Sequence, residues 1–297
     1  QSGLTAGQTF FVDKNGDLQL TTNITQSIGS EAVFESATTN WVNAALDSNS
    51  NKVVIGYGDS GNSGYGTAVV ATIDSSDNSI SYGTPVVFVS GEVRYLSATF
   101  DSNTNRVVMS YRNDSSSDNG FSVVGSVSGT GISFGTPVTF NSGSSSTNEI
   151  TSTFDSSNNK VVIAYQDGNN SSYGTAIVGT VDPSDNSISF GTEAVFESAN
   201  TQVISSTFDS SNNKVVIAYK DAGNSDYGTA IVGTVSSTSI SFGSAAVFES
   251  AVTAYIAATF DSSSNKVVVA YRDQGNSSQG TAIVGTVSGT SISFGSE

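Results

Sequence analysis

The chain has 297 residues with ten Lys and Arg against twenty-six Asp and Glu, a net charge of −16. That field repels phosphate backbones and anionic headgroups, which argues against nucleic acid and membrane surfaces as partners. Cysteine and histidine are both absent, which excludes disulfides, Ser-His-Asp and Cys-His nucleophile systems and the common zinc sites.

Only 12% of residues are charged, so solubility rests on Ser, Thr, Asn and Gly, a composition suited to an extracellular setting. No apolar run reaches the length of a membrane span, and no charged-then-apolar leader precedes Gln1. A chain that opens on Gln is expected to have been processed or excised from something longer.

In chain order, residues 1–24 stand outside the pattern that follows. TFFVDKNGDLQLTT reads as a β-hairpin with Asp13, Lys14, Asn15 and Gly16 as its turn, a remnant of a neighbouring module. From 25 to 297 a single repeat takes over. SIGSEAVFES (27–36) matches SFGTEAVFES (189–198) and SFGSAAVFES (241–250), so the chain enters the repeat at its end.

The most regular stretch is FDSSNNKVVIAY, present at 154–165 and again at 208–219, with variants starting at Leu46, Phe100 and Phe260. DSSNN is a turn cluster, and KVVIAY is a β-branched run of strand length. The turn aspartates Asp47, Asp101, Asp155, Asp209 and Asp261 are 54, 54, 54 and 52 residues apart. Periods of this size mark propeller blades or related repeats.

The fourth unit shows the contents: QVISSTFD (202–209), KVVIAYKD (214–221), YGTAIVGTV (227–235) and ISFGSAAVF (240–248). Short connections make these four strands an antiparallel meander. Val215, Val216 and Ile217 are apolar in succession, which requires both sheet faces to be covered. TAIVGTV recurs at 175–181, 229–235 and 281–287, with its Gly and Ala where neighbouring sheets would approach closely.

No pattern of period 3.6 is sustained, so almost no helix is expected. The expected fold is an all-β propeller of five four-stranded antiparallel blades, the first strand of each innermost. The last outer strand, ISFGSE (292–297), stops halfway. The N-terminal outer strand, Ile28 to Phe34, is expected to complete the fifth blade and close the ring. Six blades would need the N-terminal hairpin to stand in for missing strands, and a solenoid would need caps.

FDSSNNKVVIAYxD, GNSxYGTAIVGTV and SISFGTxxVFES resemble the tandem blades of marine bacterial surface proteins and of the tail or fibre proteins of their phages. The opening QSGLTAGQTFFVDKNGDLQLTT resembles a short β-module that accompanies such repeats. The resemblance implies display outside the cell, at a cell surface or on a virion, and contact with a surface.

Antiparallel order puts the first-to-second and third-to-fourth turns on one rim, nearly identical from blade to blade. The second-to-third loops and the crossovers share the other rim, where the crossovers read SATTNW, VSGEVRY, SGSSSTNE, SANTQV and SAVTAY. Divergence gathered on one side of a rigid scaffold is what a recognition surface shows.

At the top of each innermost strand stand Trp41, Tyr95, Glu149, Val203 and Tyr255, where an aromatic ring would stack on a sugar or plug the channel. The second strands end in Tyr57, Tyr111, Tyr165, Tyr219 and Tyr271, followed two residues later by Asp59, Asn113, Asp167, Asp221 and Asp273. These pairs would form a repeated shallow glycan site, or else Tyr would pack between blades and Asp would cap its own loop. The DSGNS-type loops gather oxygen ligands, but one Asp with a few carbonyls rarely suffices for the six to eight that calcium takes, so no cofactor is expected, with calcium in these loops as the alternative.

Of the four arginines, Arg106 lies on the rim opposite Arg94, Arg112 and Arg272, which leaves no sialidase-like clamp of convergent arginines. The expected function is a non-enzymatic module binding surface glycans or a cell-surface receptor. A spacer propeller contacting neighbouring subunits of a fibre, tail or surface layer is the alternative, and a sialidase-like glycosidase the third reading.

Overall fold

The computed structural model describes residues 11–12, 18–19, 29–143 and 145–296. It divides into two compact bodies, Gln1–Ala32 with Ile73–Ile80, and Val33–Thr72 with Ser81–Glu297. In the smaller, Phe11–Val12 and Leu18–Gln19 form an antiparallel pair with Phe11 opposite Gln19. The turn expected at Asp13 to Gly16 lies outside the described residues.

Strand dominates the described residues, which form two large antiparallel sheets of nine and twelve strands, with three single-turn 3-10 segments in loops. Each repeat follows one plan. In the fourth, the second half of Ala194–Asp209 pairs with Lys214–Asp221, which pairs with Tyr227–Ser236, which pairs with Ser239–Phe242, all antiparallel.

The sixteen-residue strands serve two repeats each. Ala194 and Val195 pair with Ala176 and Thr175 of the third repeat, while Ser205 to Asp209 pair within the fourth. This handover joins consecutive repeats into one sheet. It is interrupted between the second and third, where Val138–Asn141 and Thr147–Asp155 are separate strands, and so there are two sheets.

Local chemistry explains the hairpins. Asp155 Oδ1 accepts the backbone N–H of Ser157 and Asn158 at 2.9 and 3.0 Å, and Asp209 does the same for Ser211 and Asn212. The turn closes on an asparagine with positive φ, Asn159 at 55° and Asn213 at 54°, a conformation Asn tolerates.

Alternation along the two middle strands gives the third, fourth and fifth repeats an Ala/Val face and an Ile/Tyr face, and unlike faces meet. Val162, Ala164, Ala176 and Val178 of the third repeat cluster with Val215, Ile217, Tyr219 and Ile231 of the fourth. Val216, Ala218, Ala230 and Val232 of the fourth then cluster with Val267, Val269, Tyr271 and Ile283 of the fifth. Nearly all these side chains are buried, the close packing expected of a protein core.

A crossover phenylalanine locks each seam. Phe196 packs against Tyr219 at 5.3 Å and Phe242 at 5.7 Å with the ring planes near 60°, and its ring edge lies only 2.4 Å from where a Cβ on Gly174 would stand. Along the first strands, Asn43 Oδ1 accepts the N–H of Ala98, Ser97 Oγ that of Ser152, and Ser205 Oγ that of Ala258, at 2.9–3.1 Å.

The closure expected of Ile28 to Phe34 is not formed. Ile28 lies outside the described residues, residues 29–36 contain no strand, and Phe34 sits on Tyr57 and Tyr82 of the first repeat at 5.2 and 5.9 Å. The last strand, Ser291–Phe294, pairs over the same four residues as its counterpart in the fourth repeat. Among the described residues no strand pairs beyond it, and Ala270, Ala282 and Val284 on that side are exposed.

Candidate functional site

Every first strand slips register on the divergent rim, between Asn40 and Asn43, Arg94 and Ser97, Asn148 and Thr151, Gln202 and Ser205, and Ala254 and Ala257. The residues in these bulges are Trp41, Tyr95, Glu149, Val203 and Tyr255, all left-handed with φ between 50° and 53°. Without glycine this costs about 1–3 kcal/mol each, most severely for β-branched Val203. A bulge re-aims a side chain that would otherwise alternate within the ladder.

The structure brings two of these five into ring contact. Trp41 lies against Tyr95 with centroids 4.6 Å apart and planes at 42°, and the Arg112 guanidinium covers Tyr95 at 5.3 Å. Asp114 receives Arg94 Nε and Arg112 Nε on its two oxygens, each at 2.6 Å. Arg112 also donates to Asn148, Asn148 to Gln166 at 3.0 Å, and Gln166 to Asn200 and the Thr201 carbonyl at 2.9 and 2.8 Å. The rim of repeats two to four is thus stitched shut.

Glu149 takes no part in the aromatic contact. Its Oε2 accepts the Val203 N–H at 3.1 Å, and burial pushes its carboxyl above the usual glutamate range, partly offset by that hydrogen bond and by Lys220. Tyr255 is 74% exposed, under the Arg272 guanidinium at 4.9 Å, on the uncovered side of the fifth repeat.

The paired Tyr and Asp positions are structural. Tyr57, Tyr111, Tyr165 and Tyr219 are fully buried and Tyr271 nearly so, which leaves no ring face for a glycan. Burial pushes the first four phenols well above the ordinary tyrosine value. Asp59, Asp167, Asp221 and Asp273 accept backbone N–H groups of their own loops at 2.9–3.1 Å, and Asn113 accepts that of Ser115. Among the described residues, no cluster of three or more His, Cys, Asp or Glu is placed to hold a metal ion.

A crevice opens on this rim beside Trp41. Between the first and second repeats, Asn40, Trp41, Ser60, Ser63 and Glu92 surround about 220 Å³. Gly58 stands where the other repeats carry Arg112, Gln166, Lys220 and Arg272, and Gly64, at φ 76°, stands where they carry Asp118, Ser172, Asp226 and Ser278. A Cβ on Gly64 would come within 2.9 Å of Glu92 Cγ.

Missing side chains at two positions therefore leave the space that the neighbours fill. Asn40 Nδ2 donates to Ser60 Oγ at 2.9 Å, and Glu92 Oε1 accepts from Arg94 at 3.1 Å. Trp41, 42% exposed, supplies the apolar wall. Of these residues only Trp41 is legible as a candidate in the sequence alone. The signal for the others is Gly58, the single blank in an otherwise bulky column.

No family model and no curated protein matches the chain. Solved structures do. A mutant of AofleA from Arthrobotrys oligospora with three arginines changed to alanine is similar with a TM-score of 0.55 and 12% identity, over 89% of this chain and 75% of that one. A protein of unknown function from Dyadobacter fermentans is similar with a TM-score of 0.55 and 11% identity, over 87% and 80%.

An exo-β-1,3-galactanase from Phanerochaete chrysosporium, solved with β-1,3-galactotriose, gives a TM-score of 0.48 at 9% identity, and the chain spans 59% of its length. At such identities the likeness concerns the fold alone.

Proposed function

We propose that the chain is a non-enzymatic carbohydrate-binding module, a series of four-stranded propeller-type blades displayed outside the cell, that holds a sugar ring in the crevice between its first two repeats. The observation that carries this reading is the crevice itself. Trp41 offers an apolar face beside the carboxylate of Glu92 and the amide and hydroxyls of Asn40, Ser60 and Ser63. Sugars are held by such pairing of one flat apolar surface with a few fixed polar groups. The volume is below the ~300–1,000 Å³ of drug-sized pockets, which suits one ring of a surface glycan rather than a buried chain.

Trp41 is the only tryptophan, so its fluorescence reports the site without a label. A glycan array identifies the sugar, and titration with it is expected to change the emission saturably. Gly58→Gln, which restores the side chain found in the third repeat, is expected to weaken binding at least tenfold with the melting temperature kept. An array blank at high protein concentration, with and without calcium, removes this reading; turnover of a glycoside would replace it with the enzymatic one.

A further inference from the structure

The bulge aromatics of the second and fifth repeats each lie under a cation of their own repeat. Arg112 covers Tyr95 at 5.3 Å, and Arg272 covers Tyr255 at 4.9 Å. Both arginines belong to the column that reads Gly58, Arg112, Gln166, Lys220 and Arg272. The first repeat keeps the aromatic, Trp41, and omits the cation, because Gly58 has no side chain to send over the indole. Of the aromatic side chains, tryptophan attracts positive charge most strongly. Trp41 touches Tyr95 and also borders the crevice.

The counter-charge is in place as well. In the second repeat Asp114 Oδ1 holds Arg112 Nε at 2.6 Å. In the crevice that part falls to Glu92, whose column otherwise reads Thr38, Ser146, Asn200 and Val252, with no charge. Among the described residues that line the crevice, Glu92 alone is charged. Its side chain is 49% exposed, and its Oε1 accepts Arg94 Nη2 at 3.1 Å while Arg94 turns its Nε to Asp114 Oδ2 at 2.6 Å. Arg94 is thus shared between two carboxylates, and Glu92 keeps its second oxygen for a ligand. With a net charge of −16 on the chain, an anionic sugar is repelled from such a site.

We propose, resting on the reading of this crevice as a sugar site, that its ligand is an amino sugar with a free, protonated amine. The ammonium takes the place that Arg112 and Arg272 take in their own repeats, on the face of Trp41 and beside Glu92. The amide of Asn40 and the hydroxyls of Ser60 and Ser63 then meet the ring hydroxyls. A bare alkylammonium would leave these groups unused, which favours a sugar over a simple organic cation.

Trp41 fluorescence titrations on the whole chain compare a glucosamine tetramer, its fully N-acetylated form, a galacturonic acid tetramer and choline. The glucosamine tetramer is expected to bind about tenfold more tightly than the acetylated one, the product of a cation–π contact and a partly exposed ion pair. The uronic acid tetramer and choline should both bind more weakly than glucosamine. Glu92→Gln, at a half-exposed side chain, should keep the melting temperature and cut the preference to about threefold, what the indole alone supplies. Added salt should act in the same direction.

Equal binding of the acetylated or uronic acid tetramer, or a preference unchanged in Glu92→Gln, overturns this inference and leaves the crevice a sugar site. So does silence toward glucosamine when the array shows another sugar. Choline bound as tightly as the glucosamine tetramer overturns the choice of a sugar as the carrier of the ammonium. A chain that binds none of the four and leaves the array blank loses both readings together.

Discussion

The crevice between the first two repeats and the one between the third and fourth share a strand plan and differ in the side chains that close them. In the third repeat Gln166 reaches across to Asn200 and the Thr201 carbonyl and receives Asn148, so the gap is sealed by hydrogen bonds. In the first repeat the same column holds Gly58, and the gap is a cavity beside Trp41. The opening is thus a matter of subtraction: a crevice arises where the repeat omits its own stitch.

The contrast requires that both crevices rest on the same rigid seam, and the largest effect tests that. Phe196→Ala removes a buried ring packed on Tyr219 and Phe242 and is expected to cost about 3–5 kcal/mol, measured by urea unfolding. A cost below about 1 kcal/mol would mean that the seam is not what holds the crevices in shape.

Next in size is the stitch itself. Gln166→Gly strips three hydrogen bonds from a buried position and leaves the Thr201 carbonyl without this donor. About 2 kcal/mol of stability should be lost, and a second crevice resembling the first should open. If denaturation shows no loss, the polar chain along the rim contributes nothing and the first crevice owes its form to something else.

A smaller effect separates position from charge. Burial raises the pKa of Glu149 from its ordinary value of 4.5, so its stabilising contribution is present below that value and is lost as the pH rises through the folded one. Glu149→Gln keeps an oxygen for the Val203 N–H and carries no charge. It should melt higher than the parent at pH 7, with the gap shrinking as the pH falls toward 4.5 and closed below it. A gap that stays constant with pH would show that packing, not ionisation, is responsible.

How far the sequence reveals these features follows their range. The hairpins are local, so DSSNN and the asparagine that closes it announce themselves, and the Asp47 to Asp261 series marks the five repeats. Four strands per repeat follow from KVVIAY and TAIVGTV in the same way.

The bulges are hidden because their left-handed residues, Trp41 to Tyr255, include no glycine. Tyr57 to Tyr271 read equally well as exposed or buried, since a phenol suits either setting and only the neighbouring repeat decides.

The smallest predicted effect compares the seams themselves. Tyr165, Tyr219 and Tyr57 each donate to a carboxylate, Glu193 at 2.7 Å, Glu197 at 3.0 Å and Glu35 at 3.4 Å. In the second repeat the crossover reads Val87-Phe88-Val89, with valine where Glu35 and Glu197 stand, and the buried Tyr111 hydroxyl has no partner among the described residues. An unpaired buried hydroxyl carries its desolvation cost with no return. Tyr111→Phe should therefore be neutral or stabilising by up to ~1 kcal/mol, whereas Tyr165→Phe should destabilise by about 1 kcal/mol. Equal losses in the two variants, measured side by side in urea, would mean that the Tyr111 hydroxyl has found a partner such as bound water, and that the second seam is as well satisfied as the third.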